Sequence, residues 1–159
     1  MNKRTLVKKI IAHLTGELEL LAKAARAAHS EATDEQSKAE NKYDTRGLEA
    51  SYLARGQSRQ AAEVQQAIDQ FQALALRPFA PGDPIDLGAL VEIESRGEKS
   101  LYFMAPRAGG TEIELEKREI TVITPPSPLG QQLFGHRQGE KLKLQIGAQR
   151  TECRILAVS

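Results

Sequence analysis

The chain has 159 residues, 22 of them basic and 21 acidic, for a formal net charge of +1. That length holds one ordinary domain or two small ones, and the near balance of charge argues against sequence-blind binding to nucleic acid, which needs a large positive excess. One cysteine and three histidines exclude an internal disulfide and a zinc quartet, which fits a reducing compartment.

The opening MNKRTLVKKIIAHL is basic and then apolar, as a signal peptide would be. Lys8, Lys9 and His13 interrupt the apolar stretch, however, and no small-residue cleavage site stands in the right place. No apolar run is long enough to cross a bilayer. A soluble cytoplasmic protein is expected.

The character of the chain changes at Arg77-Pro78. No proline precedes that point, and all seven follow it. A long proline-free stretch rich in Ala, Leu, Glu, Gln, Lys and Arg favours helix. Leu6, Ile10, Leu14, Leu18, Leu21, Ala25 and Ala28 recur at spacings of three and four, which puts them on one helical stripe. Leu53, Gln57, Ala61, Val64, Ile68, Phe71 and Ala75 form a second stripe, with Gln57 as its polar weak point. Two such stripes on successive segments bury best against each other, as an antiparallel pair. Each helix of roughly 28 residues spans about 40 Å at 1.5 Å per residue. The basic residues Lys3, Arg4, Lys8 and Lys9 at the start read as a solvated helical face.

Between the stripes, residues 31–47 carry Glu31, Asp34, Glu35, Glu40 and Asp44 interleaved with Lys38, Lys42 and Arg46. Thr33 or Asp34 suits the cap of a short helical extension, and Asp44 or Thr45 the cap of the second long helix. A solvated loop of mixed charge is the plain reading of this segment.

After Pro78 the pattern is one of short strands: Ala89 to Ile93, Leu101 to Met104, Ile120 to Ile123, Leu142 to Ile146 and Cys153 to Ala157. Leu142 to Ile146 alternates apolar and polar, as a half-buried strand does. Turn residues separate the runs at Pro81 to Pro84, Ser95 to Gly97, Ala108 to Gly110 and Gly147-Ala148. Ser127-Pro128 suits a helix start, with Ser as N-cap and Pro at the first helical position. Leu129, Leu133 and Phe134 form the expected inner face of that helix, which Gly135 stops. The expected fold is α+β: a helical hairpin over residues 1–77, with its tip at about 31–47, and an antiparallel β-domain with one short helix over 78–159.

The stretch SPLGQQLFGHRQGEKLKLQIG and the final strand TECRILAV resemble the C-terminal domain of the bacterial Gre transcript-cleavage factors. The likeness is carried by Ser127 and Pro128 at a helix start, Leu133 and Gly135, then Gly139 and Glu140 ahead of the alternating strand. Tyr52 with Ala54-Arg55 resembles the start of that family's second coil helix. The resemblance implies an FKBP-like C-terminal domain without isomerase activity, and a coiled-coil hairpin before it. It also implies a partner, RNA polymerase, bound through the C-terminal domain at the rim of the secondary channel. The hairpin then enters the channel and comes into indirect contact with transcript RNA.

Acidic residues at the family's tip help to hold a metal ion for cleavage of a backtracked transcript, and carboxylates are suitable ligands for Mg²⁺. The tip is where this sequence departs from the pattern. The family's Gly-Asp-Leu followed by Glu-Asn-Ala-Glu-Tyr is replaced by YDTRGLEASY. Asp44 is displaced by one residue and Glu49 does not fall on the family's glutamate. Asp44 and Glu49 are thus the metal candidates implied by the resemblance, with Glu31, Asp34, Glu35 and Glu40 as further tip acids. For Asp44 a helix-cap role stands beside the metal role.

The candidates for touching a partner are Ser127, Pro128, Leu133, Gly135, His136 and Arg137. A capping role for Ser127 and a polar turn at His136-Arg137 are the plainer readings. Cys153 reads as a small buried strand residue rather than a reactive thiol. No catalytic constellation supports an enzyme, and no tightly bound cofactor is expected beyond Mg²⁺ shared with the polymerase. The expected function is a monomeric polymerase-binding transcription factor, with cleavage stimulation and regulation without cleavage both open. An oligomerisation or adaptor protein using the coiled coil is the alternative.

Overall fold

The computed structural model describes residues 1–33 and 46–159, with the side chains of 29, 31–33 and 46–54 outside the description. Helix α1 runs Lys3–Thr33 and α2 runs Arg46–Ala73. Then come strands β1 Leu90–Ser95, β2 Glu98–Met104, β3 Glu112–Leu115 and β4 Arg118–Ile123, helix α3 Pro128–Leu133, and strands β5 Lys141–Ile146 and β6 Gln149–Val158. The packing divides the chain into one compact unit of residues 1–10 with 70–159 and another of 11–69. The composition-based division at Arg77-Pro78 follows the change of secondary structure. The packing places both feet of the helical pair, 1–10 and 70–77, with the sheet.

Within the unit of residues 11–69, the expected stripe is the face that leaves water. Leu14 and Ala28 on α1 and Ala67 and Ile68 on α2 are buried, while Leu18, Leu21, Ala25, Ala61 and Val64 are half-buried. Ala75 lies beyond the end of α2 and is exposed, so that stripe stops at Phe71. The side-chain oxygen Oε1 of Gln57 is buried with no hydrogen-bond partner among the described residues. A buried amide oxygen without a donor is a net cost, so the polar position in the seam does weaken it.

In the other unit, a six-stranded sheet has the order β3-β4-β2-β1-β6-β5. All neighbours are antiparallel except β2 and β4, which run parallel from Leu101↔Ile120 to Met104↔Ile123. The expectation of a purely antiparallel sheet is corrected there. Strand β3 was not expected at all. Its hairpin to β4 turns on Glu116 and Lys117, with φ of 53° and 61°. That is the left-handed geometry usually filled by Asn and Gly, so the hairpin carries no turn signature in the sequence.

Both faces of the sheet are covered. On one side Val91, Ile93, Met104, Ile123, Leu144 and Ile155 pack with Leu133 of α3. The alternate residues of the strands, among them Leu101, Phe103, Ile120 and Val122, are buried on the opposite side. Leu6, Val7 and Ile10 of α1 and Phe71 of α2 are buried in the same unit. Asn2 caps α1, its Oδ1 accepting from the amides of Arg4 at 2.9 Å and Thr5 at 3.3 Å.

Two of the four lysine and arginine side chains expected on a solvated face instead tie α1 to the β-domain. The Lys3 ammonium donates to the carbonyls of Arg77 at 2.6 Å and Gly88 at 3.0 Å, and lies 4.7 Å from the centre of the Phe79 ring. Burial, and then the nearby Arg77 guanidinium, lower its pKa below the usual lysine value. Lys9 donates to the Glu114 carbonyl on β3 at 2.8 Å.

Candidate functional site

The partner-facing candidates fall on one continuous segment of the β-domain, from Thr124 at the end of β4 to Glu140 before β5. Ser127 is the N-cap of α3, with extended backbone, and Pro128 begins the helix. The Ser127 hydroxyl accepts from the Gly130 amide at 3.1 Å and donates to the Thr124 carbonyl at 2.6 Å. That carbonyl also accepts from the Ser127 amide at 3.0 Å. One hydroxyl thus satisfies a free helix N–H and closes the preceding loop. With both its donor and an acceptor lone pair engaged, Ser127 acts here as a cap, in line with the plainer reading.

The glycine of this segment that matters most to packing is one that sequence reasoning passed over. A Cβ placed on Gly130 would lie 1.8 Å from the Thr124 carbonyl oxygen. No side chain fits there without moving the loop, so the Pro-Pro-Ser-Pro-Leu-Gly run is one packed unit. The signal lay in the sequence as a buried helix position occupied by Gly, which propensity alone marks as unfavourable.

Leu133 is fully buried in the core and presents no surface. Phe134, expected on the inner face, is 44% exposed. The helix ends at Leu133 and the backbone of Phe134 leaves helical geometry, with ψ 130°, which turns the ring outward. Gly135 follows with φ 83°, a left-handed conformation that suits glycine at a helix end. Two backbone bonds then tie the segment to the loop before β1: Gly135 donates to Ile85 at 2.9 Å, and Ile85 donates to His136 at 2.8 Å.

His136 and Arg137 are held rather than free. The Arg137 side chain donates to the Gly82 carbonyl at 2.9 Å. His136 Nδ1 lies 3.3 Å from the Glu140 carboxylate, which also accepts the Arg137 amide. The hydrogen bond from that amide is the main cause holding the Glu140 pKa below the usual glutamate value, with His136 adding to it. The result is a polar, ordered turn beside an exposed aromatic ring. Such a surface docks another macromolecule more readily than it performs chemistry.

Gln132, also passed over, does something specific. Its side-chain oxygen accepts from the Gln145 amide at 2.6 Å, and its side-chain nitrogen donates to the Gln145 carbonyl at 3.1 Å. The carboxamide meets the edge of β5 as the peptide group of a neighbouring strand would. Next to it lies a cleft of about 550 Å³ lined by Tyr102, Thr121, Thr124, Leu129, Gln145 and Ile146 among others.

For the hairpin tip, Asp34, Glu35, Glu40 and Asp44 lie outside the described residues. Glu31 and Glu49 belong to α1 and α2, with side chains outside the description. Among the described residues no group of three or more His, Cys, Asp and Glu is placed to hold a metal ion. Among them, too, no helix is long and apolar enough to cross a membrane.

No protein-family model matches the chain. The transcription inhibitor protein Gfh1 of Thermus thermophilus is 26% identical over 157 residues, covering 95% of this chain and 91% of that protein. The crystal structure of GreA factor homolog 1 (Gfh1) of Thermus thermophilus aligns over 94% of each chain at 23% identity, with a TM-score of 0.39. The prokaryotic transcription elongation factor GreA/GreB from Nitrosomonas europaea aligns over 65% of this chain and 79% of that one at 18% identity, with a TM-score of 0.38.

Proposed function

Taking the chain as what its sequence makes it, a divergent Gre-type factor, we propose that it regulates transcription by binding RNA polymerase through the β-domain. The helical hairpin is then the element that enters the secondary channel. One observation carries this reading. The likeness to a transcription inhibitor extends over 95% of the chain and so takes in hairpin and β-domain alike. An adaptor that had merely acquired a coiled coil would not keep both halves in register.

Within this function, regulation without transcript cleavage is the preferred outcome. The altered tip YDTRGLEASY favours it, because Asp44 and Glu49 do not fall on the positions of the family's acidic pair. The factor is itself no enzyme on this reading, since any cleavage chemistry and any Mg²⁺ belong to the polymerase centre.

The test is retention of core RNA polymerase on the immobilised full chain, followed by a single-round transcription assay. Retention, with slowed or reduced RNA synthesis and no shortened transcripts from stalled complexes, is the expected result. Shortened transcripts that vanish in Asp44→Ala and Glu49→Ala would instead assign cleavage stimulation to the tip. Failure to retain polymerase at micromolar concentration, together with a stable oligomer by light scattering, would favour the adaptor reading.

A further inference from the structure

We propose that the free edge of β5 is a docking strand for an extended acidic segment of a partner protein, with Gln132 setting where the slot ends. The sheet has two edges, β3 and β5. At β5, the pairing with β6 runs from Lys141↔Arg154 to Ile146↔Gln149. The Gln145 peptide group faces out, because both its N–H and its C=O meet Gln132. By the alternation of an antiparallel ladder, the peptide groups of Lys141 and Lys143 face out as well. No side chain among the described residues occupies them as Gln132 occupies Gln145. The edge has therefore already accepted one amide in strand geometry, and leaves the next positions open.

The side chains specify what fits. Lys141, Lys143, Arg150 and Arg154 share one face of the β5–β6 hairpin, against a single acid, Glu152, and all five are exposed. In a chain of net charge +1, that is a local concentration of positive charge. The opposite face of β5 offers half-buried Leu142 and 38% exposed Ile146. A strand with acids on one side and apolar residues on the other would meet both faces at once. Self-pairing of two β5 strands would bring Lys141 and Lys143 of each copy together, which the charges oppose. No aromatic residue interleaves with these cations on the strand, so base stacking with single-stranded nucleic acid finds no platform.

The experiment uses the full chain and a fluorescein-labelled peptide of alternating Glu and Val, read by fluorescence anisotropy. A second peptide has the same sequence with N-methyl groups along the edge that would pair. The unmodified peptide binds, and N-methylation weakens it by about tenfold or more, because it removes backbone donors and leaves charge unchanged. Lys143→Glu weakens binding by a similar factor, while Gln132→Ala, which frees Gln145, strengthens it. Amide resonances of Lys141 and Lys143 shift on titration. Equal binding of both peptides would overturn strand addition and leave surface charge alone. Stronger competition by oligouridylate than by the peptide would identify a phosphate-binding face instead, and no binding at millimolar peptide would remove the proposal.

Discussion

The helical pair and the sheet unit reach stability by different means. In residues 11–69 the buried surface is made of Ala, Leu, Val and Ile repeated along a seam, with one polar oxygen on Gln57 left unpaired among the described residues. Such a seam tolerates exchange, because neighbouring positions do similar work. In the sheet unit, single atoms are decisive: the Ser127 hydroxyl, the missing Cβ of Gly130, the Gln132 carboxamide, the Lys3 ammonium. Repetition makes a robust rod, and individual contacts make a shaped surface. A factor that must both reach and grip has use for each.

Four variants break or sharpen this contrast. Phe71→Ala removes a side chain that is 1% exposed and packs with the sheet unit. It should lower stability by about 3–5 kcal/mol in urea unfolding. A loss below about 1 kcal/mol would show that the foot of α2 does not depend on that unit. Gly130→Ala adds one methyl group 1.8 Å from a backbone oxygen. A cost of about 3 kcal/mol is expected by the same measurement, together with shifted amide resonances from Thr124 to Phe134.

Gln57→Leu acts the other way. It replaces the unpaired oxygen in the seam with an apolar group and should raise the stability of the helical pair by about 1 kcal/mol. Thermal unfolding followed by helix ellipticity reads this directly, and a fall in midpoint would mean the amide has a role in the seam. The smallest effect is expected from Glu140→Gln. The folded pKa of Glu140 is depressed, so its contribution is present above the ordinary glutamate value of 4.5 and is lost as the pH falls through the folded value. The variant should match the parent at low pH and be slightly less stable near neutrality, a difference visible in thermal midpoints compared across pH. Identical profiles would mean that the Arg137 amide and His136 do not hold the carboxylate in solution.

Much of the helical half was legible because periodicity is a property of the sequence itself. Spacing alone marked Leu14, Leu18, Ile68 and Phe71, and the distribution of proline separated helices from strands. The Ser127 cap was legible for the same reason, since Ser-Pro at a helix start acts over a few neighbouring residues. What escaped depends on contacts between distant residues. Lys3 and Lys9 look like surface cations until carbonyls some 74 to 105 positions away are seen to receive them. Strand β3 was missed because its turn uses Glu116 and Lys117 where a hairpin normally announces itself with Asn or Gly. Phe134 was placed inward by helical spacing, but the helix stops one residue earlier.

The attachment of α1 to β3 also orders events in time. Lys9 and Glu114, whose contact fastens them, are separated by 105 positions. A ribosome therefore releases the first helix long before its anchor exists. The helical pair has only local contacts to make and can form early, whereas Leu6, Val7 and Ile10 must wait, apolar and uncovered, until the strands have been made. Early synthesis is thus the interval in which the nascent chain has most need of a chaperone, and a pause in translation before residue 112 should lengthen it.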